Sequence, residues 1–354
     1  MPVFIFFSTI VVSFLLTAGV ILFMRHVNIV DRPKKAERKI HKRIIPLGGG
    51  VAPFVVFLLA VSFLYTFGFL NGTLQTNELW GIIAGSLIVV FGGVLDDKFN
   101  LSATKQIIFP ILAALTVIGF GIGPHEITNP LGGIISLDQI KFPFGPYGTF
   151  VLFADLLVFG WLMTVMYSTK LLDGLDGLVS GVSVIGAFVI FFLTQKPDLF
   201  QPEVGLLAIA FAGAMTGFLI WNYNPAKIFL GEGGSLFAGF ILGTLAIISG
   251  SKIATTLLVL AVPLLDVIRV FFVRIIKGKP FYQGDKEHLH FRLLSIGYSH
   301  KTTVLIYYIL TLVFGVIGIY AKHINKLLLL GCIFIILFGT NIVFLRHDKQ
   351  QLEK

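Results

Sequence analysis

Long apolar stretches dominate the chain, and short polar segments interrupt them. A helix that spans a membrane requires roughly 20 mostly apolar residues. Eleven stretches meet this requirement, at about 3–24, 50–70, 79–95, 106–123, 149–169, 178–194, 204–221, 236–250, 253–273, 303–320 and 327–345. The pattern predicts an all-α polytopic membrane protein with about 11 transmembrane helices in one domain, residues 1–354.

Composition agrees with this pattern and excludes several other classes. Of the 354 residues, 56% are hydrophobic and 13% are charged, whereas soluble domains carry about 25% charged residues. The single cysteine, Cys332, excludes a disulfide scaffold.

The distribution of charge predicts an orientation. If the segment 25–49 is cytoplasmic, all but five of the 27 lysines and arginines lie on that side of the membrane. Positively charged loops favour the cytoplasm, so we expect an outer N-terminus, a cytoplasmic C-terminus and a place in the plasma (inner) membrane. The net charge of +9 would then face anionic headgroups or a phosphate-rich substrate and not nucleic acid. The outer loop 124–148 has a pattern that favours a small hairpin.

Carboxylates concentrate on the same predicted side, at helix ends. Twelve of the 18 acids lie there, although orientation signals do not require acids. A charge at a membrane helix end is costly when unpaired and is therefore a candidate functional group. The candidate site is formed by the predicted cytoplasmic loops 25–49, 96–105, 170–177, 222–235 and 274–302.

Asp96 and Asp97 end the third stretch side by side. Adjacent carboxylates repel each other, so a cation must offset the charge or one pKa must rise. Such a pair could act as a base or anchor a hydrated metal, whereas the alternative is a solvated helix end. The helix dipole disfavours acids there, which favours function. Lys105, which opens the next stretch, could contact a phosphate.

Two further polar clusters precede apolar stretches. Asp173 and Asp176 are three residues apart with glycines beside them, so on a helix they would share a face. The alternative is a simple N-cap, which needs only one acid. The Gly231–Ser235 segment contains Glu232 and could present free N–H groups to an anion. Glu232 could also bind Mg²⁺, which prefers oxygen ligands.

The last cluster follows the ninth stretch and combines histidines with arginines. Arg274, His288, His290 and Arg292 carry its main candidates. The residues suit diphosphate binding better than zinc, because a cysteine partner and a histidine at i+4 are both lacking. The alternative is a basic loop beside the membrane. Together the clusters favour phosphoryl-group chemistry at a membrane face.

At these residues the sequence resembles the polyprenyl-phosphate N-acetylhexosamine-1-phosphate transferases of glycosyltransferase family 4. The Asp-x-x-His-x-His stretch is similar to the branch that uses UDP-N-acetylglucosamine and undecaprenyl phosphate. The matching elements follow one another along the chain: Lys39-Ile-His41 with Pro46 and Gly49-Gly50, Asp96-Asp97 with Lys105, Asp173-Gly-Leu-Asp176-Gly, Lys227-Ile-Phe-Leu-Gly231, Pro263 with Asp266, and Asp285-Lys-Glu-His288-Leu-His290.

The resemblance implies an activity. Such enzymes transfer a sugar-1-phosphate from a UDP-sugar to a membrane polyprenyl phosphate and release UMP. They initiate cell-envelope glycans such as wall teichoic acid, O-antigen or common antigen. The resemblance also implies Mg²⁺ and suggests a homodimer.

The resemblance implies roles for individual residues. Asp96 and Asp97 would activate or steer the lipid phosphate. Asp176 and Phe229 would hold the uracil, the ring by stacking. The loop with His288 and His290 would bind the sugar and the diphosphate. The substrate would also contact residues that match or border these motifs, namely Lys39, His41, Lys105, Lys170, Asp173, Arg274 and Arg292.

Four positions depart from the family pattern. Tyr167 and Lys170 replace two asparagines, Glu232 replaces an aspartate, and Phe291 replaces the last histidine of the His-x-His-His motif. The resemblance makes the second asparagine and that aspartate the Mg²⁺ ligands. A protonated lysine cannot ligate a metal.

Three interpretations of these departures are open. Lys170 and Glu232 form an ion pair where relatives hold Mg²⁺, or Mg²⁺ binds Glu232 and Asp97 while Lys170 binds a phosphate. In the third, the chain is a catalytically altered or inactive relative that binds polyprenyl phosphate or nucleotide-sugar without turnover. Two other enzyme classes fit less well. A prenyltransferase would need wider acid spacing, and a CDP-alcohol phosphotransferase would need arginines at 178–190.

Overall fold

The computed structural model describes residues 1–33, 43–124, 126–129, 133–143, 149–249, 253–276, 288–321 and 323–352. These residues form mostly helices, together with short strands. The helices are α1 (Pro2–His26), α2 (Val51–Thr66), α3 (Thr76–Phe99), α4 (Ala103–Gln106), α5 (Ile108–Gly119), α6 (Leu152–Leu172), α7 (Leu178–Thr194), α8 (Pro202–Asn222), α9 (Gly231–Ile248), α10 (Ile253–Val259), α11 (Ala261–Ile276), α12 (Leu289–Ser295), α13 (His300–Tyr320) and α14 (His323–Leu352).

The prediction of a largely helical membrane protein is confirmed. Within the described residues, six helices are long and apolar enough to cross a membrane: α1, α3, α6, α8, α9 and α13. Shorter apolar helices occupy 51–66, 103–119, 178–194 and 324–339. Each predicted apolar stretch coincides with a helix or a pair of helices.

Two predicted stretches are each divided into two helices. The stretch 106–123 coincides with the end of α4 and with α5, and 253–273 coincides with α10 and most of α11. In both cases a proline, Pro110 or Pro263, lies four residues after the last residue of the first helix. Its ring lacks an N–H and clashes with the carbonyl four residues earlier, so the helix ends there.

Two helices organise the interior. Helix α8 packs against α1, α2 and α7, and helix α9 packs against α3 and α6. Because α9 is surrounded, nearly all its side chains are buried. The N-terminal end of α9 therefore lies between the ends of other helices.

Glycines bring the start of α9 close to its neighbours. A Cβ atom on Gly93 of α3 would lie 2.0 Å from the Cα of Gly233, and one on Gly50 would lie 2.1 Å from the Cα of Gly234. Only glycine allows backbones to approach this closely. These contacts place Glu232 beside the end of α3.

The strands are short and antiparallel. β1 (Val30–Asp31) pairs with β2 (Ile45–Pro46) beside the candidate site. In the predicted hairpin region there are two hairpins, β3 (Glu126–Thr128) with β4 (Ile134–Ser136) and β5 (Lys141–Pro143) with β6 (Thr149–Val151).

Candidate active site

A cavity of about 970 Å³ lies where the ends of several helices meet. It brings together six residues predicted from separate segments of the sequence: Asp97, Lys170, Asp173, Asp176, Phe229 and Glu232. Arg25, Asp31, Arg43, Lys227, Phe291 and His300 also line it. The cavity therefore combines carboxylates, cations and aromatic rings, as a ligand with a base and a diphosphate would require.

Asp97 directs its carboxylate towards the turn before α9. Its Oδ1 accepts a hydrogen bond from the backbone N–H of Glu232 at 3.2 Å. Its Oδ2 is buried and has no hydrogen-bond partner among the described residues. Gly231 has a φ of 78°, and a Cβ there would lie 2.3 Å from this oxygen. Asp97 thus lines the cavity and has one buried carboxylate oxygen without a partner among the described residues.

Asp96 points into its own turn. Its Oδ1 accepts hydrogen bonds from the backbone N–H of Leu101 at 2.7 Å and from Gln106 Nε2 at 3.1 Å. It lines a small pocket beside the main cavity and not the cavity itself. Asp96 therefore fixes the connection between α3 and α4, and its predicted catalytic role stays a prediction.

Lys170 joins the two sides of the site. Its Nζ lies 2.8 Å from Glu232 Oε2 and donates to Gln106 Oε1 at 2.9 Å. The same ammonium lies 5.8 Å from the centre of the Tyr167 ring. Lys170 thus contacts two of the other three positions that depart from the family pattern, and its contact with Glu232 is the ion pair of the first interpretation.

The Asp173–Gly177 turn between α6 and α7 contributes two carboxylates. Burial raises the pKa of Asp173 to about 8, and the charges of Glu232 and Asp176 act in the same direction. Asp173 is therefore mostly protonated at neutral pH and can donate a hydrogen bond. Asp176 Oδ2 accepts from Asn224 Nδ2 at 2.8 Å and from the Ala226 N–H at 3.0 Å.

The histidine cluster is anchored behind the cavity by Asp266. Its carboxylate contacts Arg269 at 2.7 Å and His288 Nδ1 at 2.9 Å, and it accepts the Leu289 N–H. Arg269 is fully buried, so its charge depends on this partner. His288 is buried and does not line the cavity. The cluster fixes the start of α12 against α11.

His290 connects that cluster to the Asp-Gly turn. A Cβ on Gly174 would lie 2.5 Å from His290 Nε2. Burial lowers the pKa of His290 to about 3, and the neighbouring His288 acts in the same direction. His290 is therefore neutral near pH 7. Phe291, beside it, takes the place of a histidine on the cavity wall.

An aromatic wall lies on the α8 side. The ammonium of Lys227 lies 4.8 Å from the centre of the Trp221 ring, and both line the cavity. Phe229 is fixed by its backbone, which donates to Pro46 O and accepts from the Gly49 N–H. This wall could hold a base by stacking.

The other predicted residues lie elsewhere. Lys105 is exposed, and neither it, Arg274 nor Arg292 lines the cavity formed by the described residues. Lys39 and His41 fall outside the described residues.

Sequence reasoning missed three polar residues. Gln106 bridges Asp96 and Lys170. Asn222 accepts from the Gly177 N–H and donates to Ile228 O, and His300 Nε2 accepts from the Asp176 N–H. A polar amide at the end of an apolar helix was the available signal for Asn222, whereas Gln106 and His300 look like ordinary interfacial residues.

The predicted Mg²⁺ site has Asp97 and Glu232 as its carboxylate donors. In the described part of the chain, no group of three or more His, Cys, Asp or Glu residues is arranged to hold a metal. Glu232 Oε2 is engaged by an ammonium at 2.8 Å. The residues therefore do not fit a Mg²⁺ ion shared by Asp97 and Glu232 in this arrangement, and metal binding stays a prediction.

The cavity combines several carboxylates with a Gly-rich helix start, and comparison with known proteins places the chain in a family. Residues 79–250 match glycosyl transferase family 4. A decaprenyl-phosphate N-acetylglucosaminephosphotransferase of Mycolicibacterium smegmatis is 31% identical over 304 residues, which cover 77% of this chain and 71% of the relative. The chain belongs to glycosyl transferase family 4.

Other relatives cover still more of the chain. A probable undecaprenyl-phosphate N-acetylglucosaminyl 1-phosphate transferase of Bacillus subtilis (strain 168) is 29% identical over 89% of this chain and 83% of the relative. An undecaprenyl-phosphate alpha-N-acetylglucosaminyl 1-phosphate transferase of Escherichia coli (strain K12) is 26% identical over 89% of this chain and 84% of its own length.

Proposed function

We propose that the protein transfers N-acetylglucosamine-1-phosphate from UDP-N-acetylglucosamine to a polyprenyl phosphate such as undecaprenyl phosphate, releases UMP and so initiates a cell-envelope glycan. One observation carries the proposal. Carboxylates, cations and an aromatic wall line a single cavity, and they include residues of three of the matching motifs, Asp97, the Asp173–Asp176 turn and Phe229. The names of the relatives support the same reaction.

The chemistry follows from Asp97. Its free Oδ2 takes the proton of the lipid phosphate, and the freed oxygen attacks the β-phosphorus of the UDP-sugar. The bond between that phosphorus and the oxygen bridging to the α-phosphate breaks, and UMP leaves. A general base typically contributes 10²–10⁴-fold to the rate. Cations beside the diphosphate stabilise the charge on the leaving group.

Other residues orient the donor. Phe229 stacks on the uracil, and protonated Asp173 donates a hydrogen bond to it or to a phosphate. Asp176 holds the loop at Asn224 in place. The histidine cluster acts through His290, which packs on Gly174 and so positions the Asp-Gly turn.

The membrane setting completes the proposal. The apolar stretches give the eleven spans, and the charge pattern gives the outer N-terminus, the cytoplasmic C-terminus and a cytoplasmic active site in the plasma membrane. The lipid tail would lie between helices whose outer faces are apolar. A homodimer would be compatible with this arrangement.

The test is radiolabel transfer from a panel of UDP-sugars to undecaprenyl phosphate by the purified protein, with and without Mg²⁺. We expect labelled lipid and equimolar UMP from UDP-N-acetylglucosamine. The second candidate function is binding without turnover, which the Lys170–Glu232 pair favours because the family resemblance implies metal ligands at these two positions. Binding of substrates with no product from any UDP-sugar under either condition would establish that alternative.

A further inference from the structure

Lys170 is a cation held beside acidic residues on the wall of the cavity. Its ammonium has two oxygen partners, Glu232 Oε2 at 2.8 Å and Gln106 Oε1 at 2.9 Å. These partners come from different helix ends, and Gln106 is itself fixed by Asp96. The side chain is only 16% exposed. The ammonium is therefore held in place on the cavity wall.

The groups around the Lys170 ammonium are suited to binding a cation. Tyr167 presents its ring one helical turn before Lys170, which suits a cation. Glutamate, with one more methylene than aspartate, extends its carboxylate from the start of α9 to the ammonium. The tyrosine, the lysine and the glutamate thus form one complementary set, as they would if they acted together.

The ammonium has capacity left for a ligand. A lysine ammonium has three N–H donors, and contacts within the described residues use two of them. Lys170 lines the cavity together with Asp97 and Asp173. The third donor can therefore bond a phosphate oxygen of a substrate that occupies the cavity.

We propose that Lys170 serves as the resident cation of this site and that the reaction needs no divalent metal between the ends of α6 and α9. The proposal rests on the proposed function for its substrate, a nucleoside-diphosphate sugar. The Lys170 ammonium offsets the negative charge of the diphosphate. The positive charge is then supplied by a side chain of the protein and not by a bound metal ion.

The first test is metal binding by the full-length protein in detergent without nucleotide. Mn²⁺ is titrated into the protein, and free Mn²⁺ is measured by electron paramagnetic resonance. The signal of the free ion decreases when the ion binds. We expect no saturable site in the wild type and one site per chain in Lys170→Asn, which replaces the ammonium with an amide oxygen. A saturable site in the wild type that Glu232→Gln removes would overturn the proposal.

The second test is UMP release with excess EDTA. The wild type should keep its rate, and Lys170→Arg, the charge-conserving control, should also remain insensitive to EDTA. Lys170→Asn should lose roughly 100-fold in EDTA, the usual cost of removing a preorganised donor, and should recover with Mg²⁺. Loss of wild-type activity in EDTA that Mg²⁺ restores would contradict the proposal.

The two proposals fail in different ways. If the wild type releases no UMP with or without Mg²⁺, the proposed function is wrong. The Mn²⁺ titration then still decides whether Lys170 occupies the cation position.

Discussion

Two adjacent carboxylates at the end of α3 have different surroundings. Asp96 Oδ1 accepts hydrogen bonds from Leu101 and Gln106, and Asp96 does not line the main cavity. Asp97 leaves Oδ2 without a partner among the described residues. Asp97 lines the cavity, and a carboxylate at such a position that lacks a partner can act in proton transfer. The geometry therefore favours Asp97 as the base and Asp96 as a positioning residue.

Replacing Asp97 with asparagine tests that assignment. The change removes the basic oxygen at almost constant volume, so UMP release should fall by roughly 100-fold or more. Binding of polyprenyl phosphate, measured by isothermal titration calorimetry, should stay within about threefold, since a neutral amide does not repel a phosphate.

Asp96→Asn is the matched control. Its amide can keep one acceptor for the turn, so turnover should fall much less than in Asp97→Asn. A larger loss in Asp96→Asn than in Asp97→Asn would reverse the two roles.

The sequence predicted which acidic residues belong to the site but not the separate role of each. Asp97, Asp176 and Glu232 were predicted from charge at helix ends, and the cavity brings them together. Asp96 could not be separated from Asp97 because the difference depends on where each side chain points. Gln106 has no distinctive spacing, and its role depends on a contact with Lys170, 64 residues away.

At the scale of elements, the site depends on how closely helices approach. Gly93 of α3 and Gly233 of α9 lie against each other, so the end of α3 reaches the start of α9. The same contact places Asp97 Oδ1 within hydrogen-bond distance of the Glu232 N–H. Close packing of these helices and the geometry of the site are therefore linked.

Gly93→Ala should separate the two helices. The added methyl would lie 2.0 Å from the Gly233 Cα, and overpacking of this kind costs about 1–3 kcal/mol. We expect a lower midpoint of thermal unfolding in detergent and slower UMP release, because Asp97 shifts away from α9.

Gly160→Ala in α6 provides the control for that experiment. A Cβ there meets nothing within 4 Å, and alanine favours a helix over glycine by about 1 kcal/mol. Its midpoint should be equal to or above that of the wild type. Equal midpoints for the two variants would show that the Gly93–Gly233 contact is unimportant.

The hydrophobic pattern predicted the positions of the helices well. It predicted their first residues and their breaks less well. Helix α9 begins at Gly231, five residues before the predicted start at 236. Glycines disfavour helices locally, but here they permit close packing on α3. These tertiary contacts outweigh the low helix propensity, so the helix includes the glycines. The breaks before α5 and α11 follow from Pro110 and Pro263, whose effect falls four residues earlier.

At the scale of the whole molecule, most of the positive charge and the candidate site are predicted to lie on the same side of the membrane. All but five lysines and arginines are assigned to the side that holds the cavity motifs. A membrane protein keeps such loops in the cytoplasm. The nucleotide-sugar is a charged metabolite, so a cytoplasmic cavity would also give it access.

Single cysteines can test this orientation in spheroplasts. In a Cys332→Ser background, Asn71→Cys places a thiol between α2 and α3, and Ser102→Cys places one between α3 and α4, both at exposed positions. A membrane-impermeant maleimide should label Asn71→Cys in intact spheroplasts and Ser102→Cys only after permeabilisation. Both thiols react with a permeant maleimide if the variants fold, which controls for accessibility. Labelling of Ser102→Cys alone in intact spheroplasts would place the Asp96–Asp97 end of α3 outside and contradict a cytoplasmic active site.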